Sequence, residues 1–167
     1  LDSFKSKFGK NGSMISAVDL LKGIAICAGM RSVDVEGATG YIDTNFEGKK
    51  DAAIEEFKNG QDFVYIHVEA PDECGHRGEA QNKIKAIELI DSLILSPVVD
   101  YLKNSGEDFA VLVCPDHPTP LSIKTHSSNP VPYLIYSSKD EKDSGVKTFT
   151  EANARATGNY IEKGFTM

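Results

Sequence analysis

Tryptophan is missing from this chain of 167 residues, and cysteine appears only three times. Cys27, Cys74 and Cys114 are an odd set without CxxC spacing. That argues against a disulfide framework and favours reduced thiols in an intracellular, cytoplasmic setting. Basic residues are outnumbered as well: 18 Lys and Arg face 25 Asp and Glu, leaving a formal net charge of -7. Nucleic acid is therefore not an expected partner, because its binders present a basic face. No apolar run approaches the roughly 18–20 residues of a membrane span, and no signal peptide is visible, so a membrane is not expected either. Position 1 holds Leu1 rather than methionine, which suits a segment of a longer protein.

What is present reads as one α/β domain. Residues 1–13 are polar and lysine-rich, with a KNG turn signal, and suggest a lead-in or frayed helix. From Ser13 onward Ile15, Val18, Leu21, Ile24 and Cys27 keep helical spacing, with Ser16 as a candidate cap. Residues 32–35 are a short strand candidate leading into GATG, and residues 49–58 a second helix stopped by Asn59-Gly60. Phe63 to Val68 is almost wholly apolar, as expected of a strand buried on both faces. Residues 79–103 carry the longest helical pattern, with Pro97 inside it predicting a kink or two helices meeting near Ser96. Residues 109–114 and 131–136 are further strands, and residues 150–157 a final helix. Strands alternating with helices imply right-handed crossovers and a mostly parallel sheet.

Two of those strands end in the same chemistry. DFVYIHVEAPDECGH delivers Asp72 and His76, four residues apart, and DFAVLVCPDH delivers Asp116 and His117. Open α/β sheets collect ligands beyond the carboxyl ends of their strands. A helix starting at once would turn Asp72 and His76 to one side, with Gly75 allowing a tight entry. Carboxylate oxygen with neutral imidazole nitrogen is the pairing a divalent metal wants. The competing reading makes Asp72 a helix cap and His76 a solvated residue. Asp116-His117 is harder to explain as structure, because polar groups at a buried strand end must be satisfied or exposed. Pro118 and Pro120 stiffen the loop behind them. His126, alone in KTHSSNP, means little, but beside two Asp/His pairs it is the natural further ligand. His67 and Glu69 suit the sheet better than the site. Lys22 lies off the apolar face of its helix and is either solvated or reaches a phosphate.

GMRSVDVEGATGYIDTNFEGK, DFVYIHVEAPDECGHRGE, KIKAIELID, DHPTP and THSSNPVPYLIY, in that order, resemble the archaeal-type cofactor-independent phosphoglycerate mutases of the alkaline phosphatase superfamily. Relatives of that family have also been labelled putative homoserine kinases. The resemblance implies a three-layer αβα sandwich of alkaline phosphatase type. It implies two divalent metals, manganese foremost, with zinc, magnesium or cobalt as alternatives. Asp72, His76 and His126 would hold one metal, and Asp116 with His117 the other. The implied activity interconverts 3-phosphoglycerate and 2-phosphoglycerate through a phosphoserine, a step of glycolysis and gluconeogenesis. The partner would be a small phosphorylated substrate, with Lys22 as a candidate contact. The family's nucleophilic serine and the aspartate completing the second metal site are not recognisable here. These 167 residues would then be the C-terminal part of a catalytic domain, without its first strand, nucleophile loop and substrate-gripping insertion. A phosphomonoesterase, another phosphotransferase or an inactive metal-binding fragment is the alternative.

Overall fold

The computed structural model describes residues 2–166. Its chain opens with a short helix, α1 (Phe4–Phe8), capped by the Ser3 side chain and ended by Gly9 at φ 67°. The expected lead-in is thus partly ordered, although Leu1 falls outside the described residues. Next comes a strand where a helix was expected. Gly12–Ile15 forms β1, buried along its whole length, and the helical pattern begins only afterwards with α2 (Asp19–Cys27). Ser16 does not cap that helix at the Ncap position, which Val18 fills; its hydroxyl instead accepts the Val18 N–H at 3.0 Å. Within α2 only Ala25 is buried, while Ile24 and Cys27 are exposed. The periodicity was real, but its apolar face is not the packed one.

The central strand explains the rest of the sheet. β2 (Arg31–Val33) and β3 (Phe63–Ile66) both pair with β1 in parallel, giving the order β2-β1-β3. Between them lies α3 (Phe46–Lys58), which Asn45 starts by accepting the Gly48 N–H. The chain moves from β1 outward to β2 and then back past β1 to β3. Right-handed crossovers in opposite directions put α2 and α3 on opposite faces of the sheet. This is a helix–sheet–helix arrangement, and its reversal point lies between β1 and β3, where ligand crevices form. A buried carboxylate ties the layers together: Glu56 of α3 accepts the Ser13 hydroxyl and sits 3.2 Å from Arg31 Nη2. Unpaired, that charge would be costly under the sheet.

Beyond β3 the chain forms α4 (Ala70–Arg77) and α5 (Ala80–Leu89), then a π-helical stretch over Ile90–Leu95 and α6 (Ser96–Ser105). The expected break near Ser96 is there, with Pro97 in the first turn of α6, where a missing N–H costs nothing. Two packed clusters form the core. Ile15, Ala53 and Val98 join sheet, α3 and α6, while Phe46, Ala70, Ala86 and Ile94 join α3 to the α4–α6 run.

The last strands depart from expectation. β4 (Ala110–Val113) and β5 (Leu134–Ser137) pair with each other antiparallel, in a sheet separate from the first. The parallel sheet therefore has β3 as an edge. This also corrects the reading of β3 as buried on both faces, since Phe63 and Tyr65 are exposed. A short helix, α7 (Glu151–Ala156), capped by Thr150, and a 3-10 turn close the fold.

Candidate metal centre

β3 and β4 deliver their following segments to one place. After β3 the chain enters α4 almost directly, with Pro71 in its first turn. Asp72 and His76 lie on one side of this helix, and His76 Nε2 is 3.3 Å from Asp72 Oδ2. After β4 come Asp116 and His117, followed by a loop that folds back on itself. Pro120 O accepts the N–H groups of Ile123 and Lys124, and Pro118 O accepts that of Ser127. That return carries His126 over His117, with ring centroids 3.7 Å apart. His126 Nε2 reaches 3.4 Å from Asp72 Oδ1 and 3.0 Å from His76 Nε2.

Asp72, His76 and His126 thus present three donor atoms, all within 4.8 Å of one another. A tetrahedral ion with ligands at about 2.1 Å would separate its donors by about 3.4 Å. The two imidazole nitrogens lie 3.0 Å apart, and each has a different Asp72 oxygen near that distance, Oδ2 at 3.3 Å from His76 and Oδ1 at 3.4 Å from His126. The donor set, one carboxylate and two imidazoles, also suits zinc or manganese chemistry. His117 joins the group from the side, its Nδ1 3.9 Å from Asp72 Oδ1 and its Nε2 3.4 Å from Asp116 Oδ2. Asp116 is the most open of the five, at 65% side-chain exposure against 24% for Asp72. All five sequence candidates at the strand ends are therefore neighbours. Lys22 is engaged otherwise: its ammonium lies 2.7 Å from Asp34, whose hydrogen bond raises the amine's pKa.

The supporting contacts were not visible in the sequence. The Lys124 carbonyl lies 3.1 Å from His76 Nδ1, and a carbonyl can only accept. Nδ1 is therefore the donor in this contact, and Nε2 is turned toward Asp72 and His126. Such outer partners fix imidazole ligands in metal sites. Lys124 is the one non-glycine residue with positive φ among the described residues, at 53°. A strained backbone that aims a carbonyl at a ligand is the kind found at functional sites. Thr119, nearly buried, donates its hydroxyl to Asp72 Oδ1 and lies 3.4 Å from His117 Nδ1. Beside His126, Ser127 Oγ is buried and has no hydrogen-bond partner among the described residues.

Gly75 has a different reason from the expected helix entry, since it sits inside α4. A Cβ there would lie 2.7 Å from the Thr119 carbonyl oxygen and 2.9 Å from Thr119 Cγ2. Gly75 is what lets the loop after β4 lie against α4. Gly75→Ala is expected to push that loop away and lower stability by about 1–3 kcal/mol, the usual cost of overpacking. Urea unfolding would measure it, and an unchanged midpoint would contradict the close approach.

A second polar group lies at the β1/β3 reversal point. His67, which burial holds below the usual imidazole pKa, has its Nδ1 3.2 Å from Ser16 Oγ. Lys49 of α3 is fully buried and donates to the His67 carbonyl at 2.9 Å. Burial pushes this amine down to about 8, although the Glu69 carboxylate opposes the shift. Glu69 is itself raised by burial. His67 and Glu69 line this floor, and the charges of Asp72 and Asp116 reach both.

Known proteins resemble this chain over most of its length. The chain is 48% identical over 165 residues to a probable 2,3-bisphosphoglycerate-independent phosphoglycerate mutase of Geobacter sulfurreducens, covering 99% of this chain and 41% of that protein. It is 51% identical over 153 residues to the 2,3-bisphosphoglycerate-independent phosphoglycerate mutase of Methanosarcina mazei, covering 92% of this chain and 38% of the relative. Among solved structures, the PH0037 protein of Pyrococcus horikoshii superposes with a TM-score of 0.82 at 31% identity, over 93% of this chain and 46% of that one. The chain thus spans about two fifths of the length of the curated relatives it matches. The sequence pattern of the metalloenzyme superfamily matches residues 1–160, and the chain belongs to that superfamily.

Proposed function

We propose that the chain is the C-terminal, metal-binding part of the catalytic domain of a 2,3-bisphosphoglycerate-independent phosphoglycerate mutase. The parent protein would interconvert 3-phosphoglycerate and 2-phosphoglycerate, a step of glycolysis, through a phosphoserine formed on a serine outside these 167 residues. The observation that carries this reading is the convergence of Asp72, His76 and His126, one donor atom from each lying within 4.8 Å of the others. The names of the relatives supply the substrate.

In this reading Asp72, His76 and His126 hold one divalent cation, and Asp116 with His117 contributes to a second. Manganese is the first choice, with zinc, magnesium or cobalt as alternatives. Bound there, divalent cations supply charge to the phosphoryl oxygens and acidify a hydroxyl nucleophile. The chain's own part is placement. Lys124 O holds His76 with Nε2 forward, the folded-back loop sets His126, and Asp72 faces both imidazoles. The unpaired β3 edge and the separate β4–β5 pair fit a sheet that continues with strands supplied elsewhere in the parent.

The test is an enolase-coupled assay of the full-length parent with 3-phosphoglycerate and manganese, without 2,3-bisphosphoglycerate. Turnover that stops on chelation is the expected result. Phosphate release without mutase turnover would replace this reading with a phosphomonoesterase on the same cluster.

A further inference from the structure

Residues 107–166 carry almost no core of their own. Among the described residues beyond Gly106 only Thr119 and Pro132 are buried, and neither core cluster draws a member from past Leu102. β4 and β5 pair with each other and, among the described residues, with no other strand. An isolated two-stranded pair is marginally stable in water. The rest of the chain must hold it in place.

Two contacts could do so. One is the face of α6 and the π-helical stretch before it, but a cleft of about 350 Å³ opens there. Leu95 and Val99 stand on one wall, with Val111, Val113, Leu134 and Tyr136 on the other. The second contact sets the loop after β4 against α4 and α5. Among the described residues, every hydrogen bond and ion pair joining residues 2–106 to residues 107–166 falls within it. Thr119 O accepts from Lys83 Nζ at 2.9 Å, and the Thr119 hydroxyl donates to Asp72. His76 meets the Lys124 carbonyl at 3.1 Å and His126 at 3.0 Å. The covalent link between the two parts is slack, because Ser105, Gly106 and Glu107 are exposed and Gly106 turns the chain at φ 76° with open space around it.

The donor set straddles this boundary. Asp72 and His76 belong to the first part, and His126, with Asp116 and His117, to the second. We infer that the cluster is a latch that docks residues 107–166 on the rest of the chain, so that a divalent cation shared across it controls whether the β4–β5 pair stays folded. Neither part alone brings Asp72, His76 and His126 together. A cation that needs all three binds only the docked form, and at 100 times its Kd it raises the ratio of docked to undocked chain about 100-fold. Little else resists undocking: the cleft already separates its apolar walls, Gly106 can turn, and the unsupported ladder melts. Order in the C-terminal part is thereby coupled to loading of the site, as metal binding commonly couples to folding.

The cation in this latch rests on the metal-site reading, whereas the straddling contact does not. Hydrogen exchange read by mass spectrometry on the 167-residue chain, with and without manganese, tests the coupling, and titration calorimetry reports binding separately. Without metal, the amides of Ala110–Val113 and Leu134–Ser137 should exchange faster than those of Gly12–Ile15, because they open without unfolding the whole chain. Manganese at 100 times its Kd should slow the β4–β5 amides about 100-fold. Lys83→Met removes one tie and no donor, and it should speed β4–β5 exchange several-fold in the metal-free chain while β1 is unchanged. Equal protection of both sheets without metal would overturn the inference, since the chain would then open as one unit. Manganese that binds by calorimetry but leaves β4–β5 exchange unaltered would also overturn it, with the metal reading intact. A chain that binds no manganese brings down the metal reading and the coupling together, and calorimetry tells that case from the other two.

Discussion

His76→Ala should weaken divalent-metal binding by this chain by more than about 100-fold, exceeding the 10–100-fold typical of outer-shell changes. The reason is the small number of donors. Asp72, His76 and His126 are the set that converges among the described residues, so removing one imidazole leaves two. Asp72→Ala should cost at least as much, because Asp72 faces His76, His117 and His126 at once. Calorimetric titration with manganese reads the affinity directly. Thermal unfolding gives a second reading, since metal at 100 times its Kd should stabilise the wild-type chain by about 2.7 kcal/mol. That increment should vanish in both variants. Asp140→Ala, which alters only a surface pair with Lys142, should behave as wild type. Tight binding that survives both substitutions would sink the site assignment, whatever the parent's activity proves to be.

Four residues of this cluster, Asp72, His76, Asp116 and His117, could be read in the sequence because they follow where an apolar run stops, and His126 drew its meaning from them. An apolar run identifies a strand, a strand has a carboxyl end, and acidic and imidazole groups at two such ends stand out against the buried residues before them. The contacts that orient them could not be read. Lys124 acts through its carbonyl, and backbone orientation leaves no mark on residue type. Thr119 acts through a hydroxyl whose partner, Asp72, lies far away in the chain. Between two prolines it looks like ordinary loop composition.

The fold divides along the same line. β3 and β4 were legible because each is an unbroken apolar run, FVYI in one and AVLV in the other. β1 was not, because GSMI contains glycine and serine and is too short to set a period. It is a strand because its neighbours on both sides pair with it, which is a tertiary fact. Sheet edges are equally silent. Phe63 and Tyr65 would look the same on a central strand, and only the topology exposes them. The π-helical stretch at Ile90–Leu95 hides for a related reason: its apolar residues continue the spacing of α5, while the hydrogen-bond ladder beneath them changes.

Lys49 was invisible because it stands in a charged GKKD stretch that suggests a solvated helix start, yet its side chain is fully buried. Its consequence is a pH dependence with a definite sign. Burial lowers the amine from 10.5 to about 8 in the folded chain. Below pH 8 both folded and unfolded states carry the charge, and folding bears the full cost of burying it. Between about pH 8 and 10.5 the folded state has lost its proton and the unfolded state still holds one. Stability therefore rises with pH across that window, by about 2–3 kcal/mol up to pH 10. Cys74 and Tyr65, both raised by burial, titrate nearby and pull the opposite way. The clean measurement is accordingly a difference, wild type minus Lys49→Met, from urea unfolding at pH 7, 8.5 and 10. Removing the amine also strips the His67 carbonyl of its donor, a cost of about 1–3 kcal/mol that does not vary with pH. The absolute offset between the two chains is therefore not diagnostic, but its slope is. A difference that grows in favour of the wild type from pH 8 upward supports a charge buried beneath the strand ends. A flat difference would mean that water or a counter-charge reaches the Lys49 ammonium, and that the floor of the cluster is more open than its packing shows.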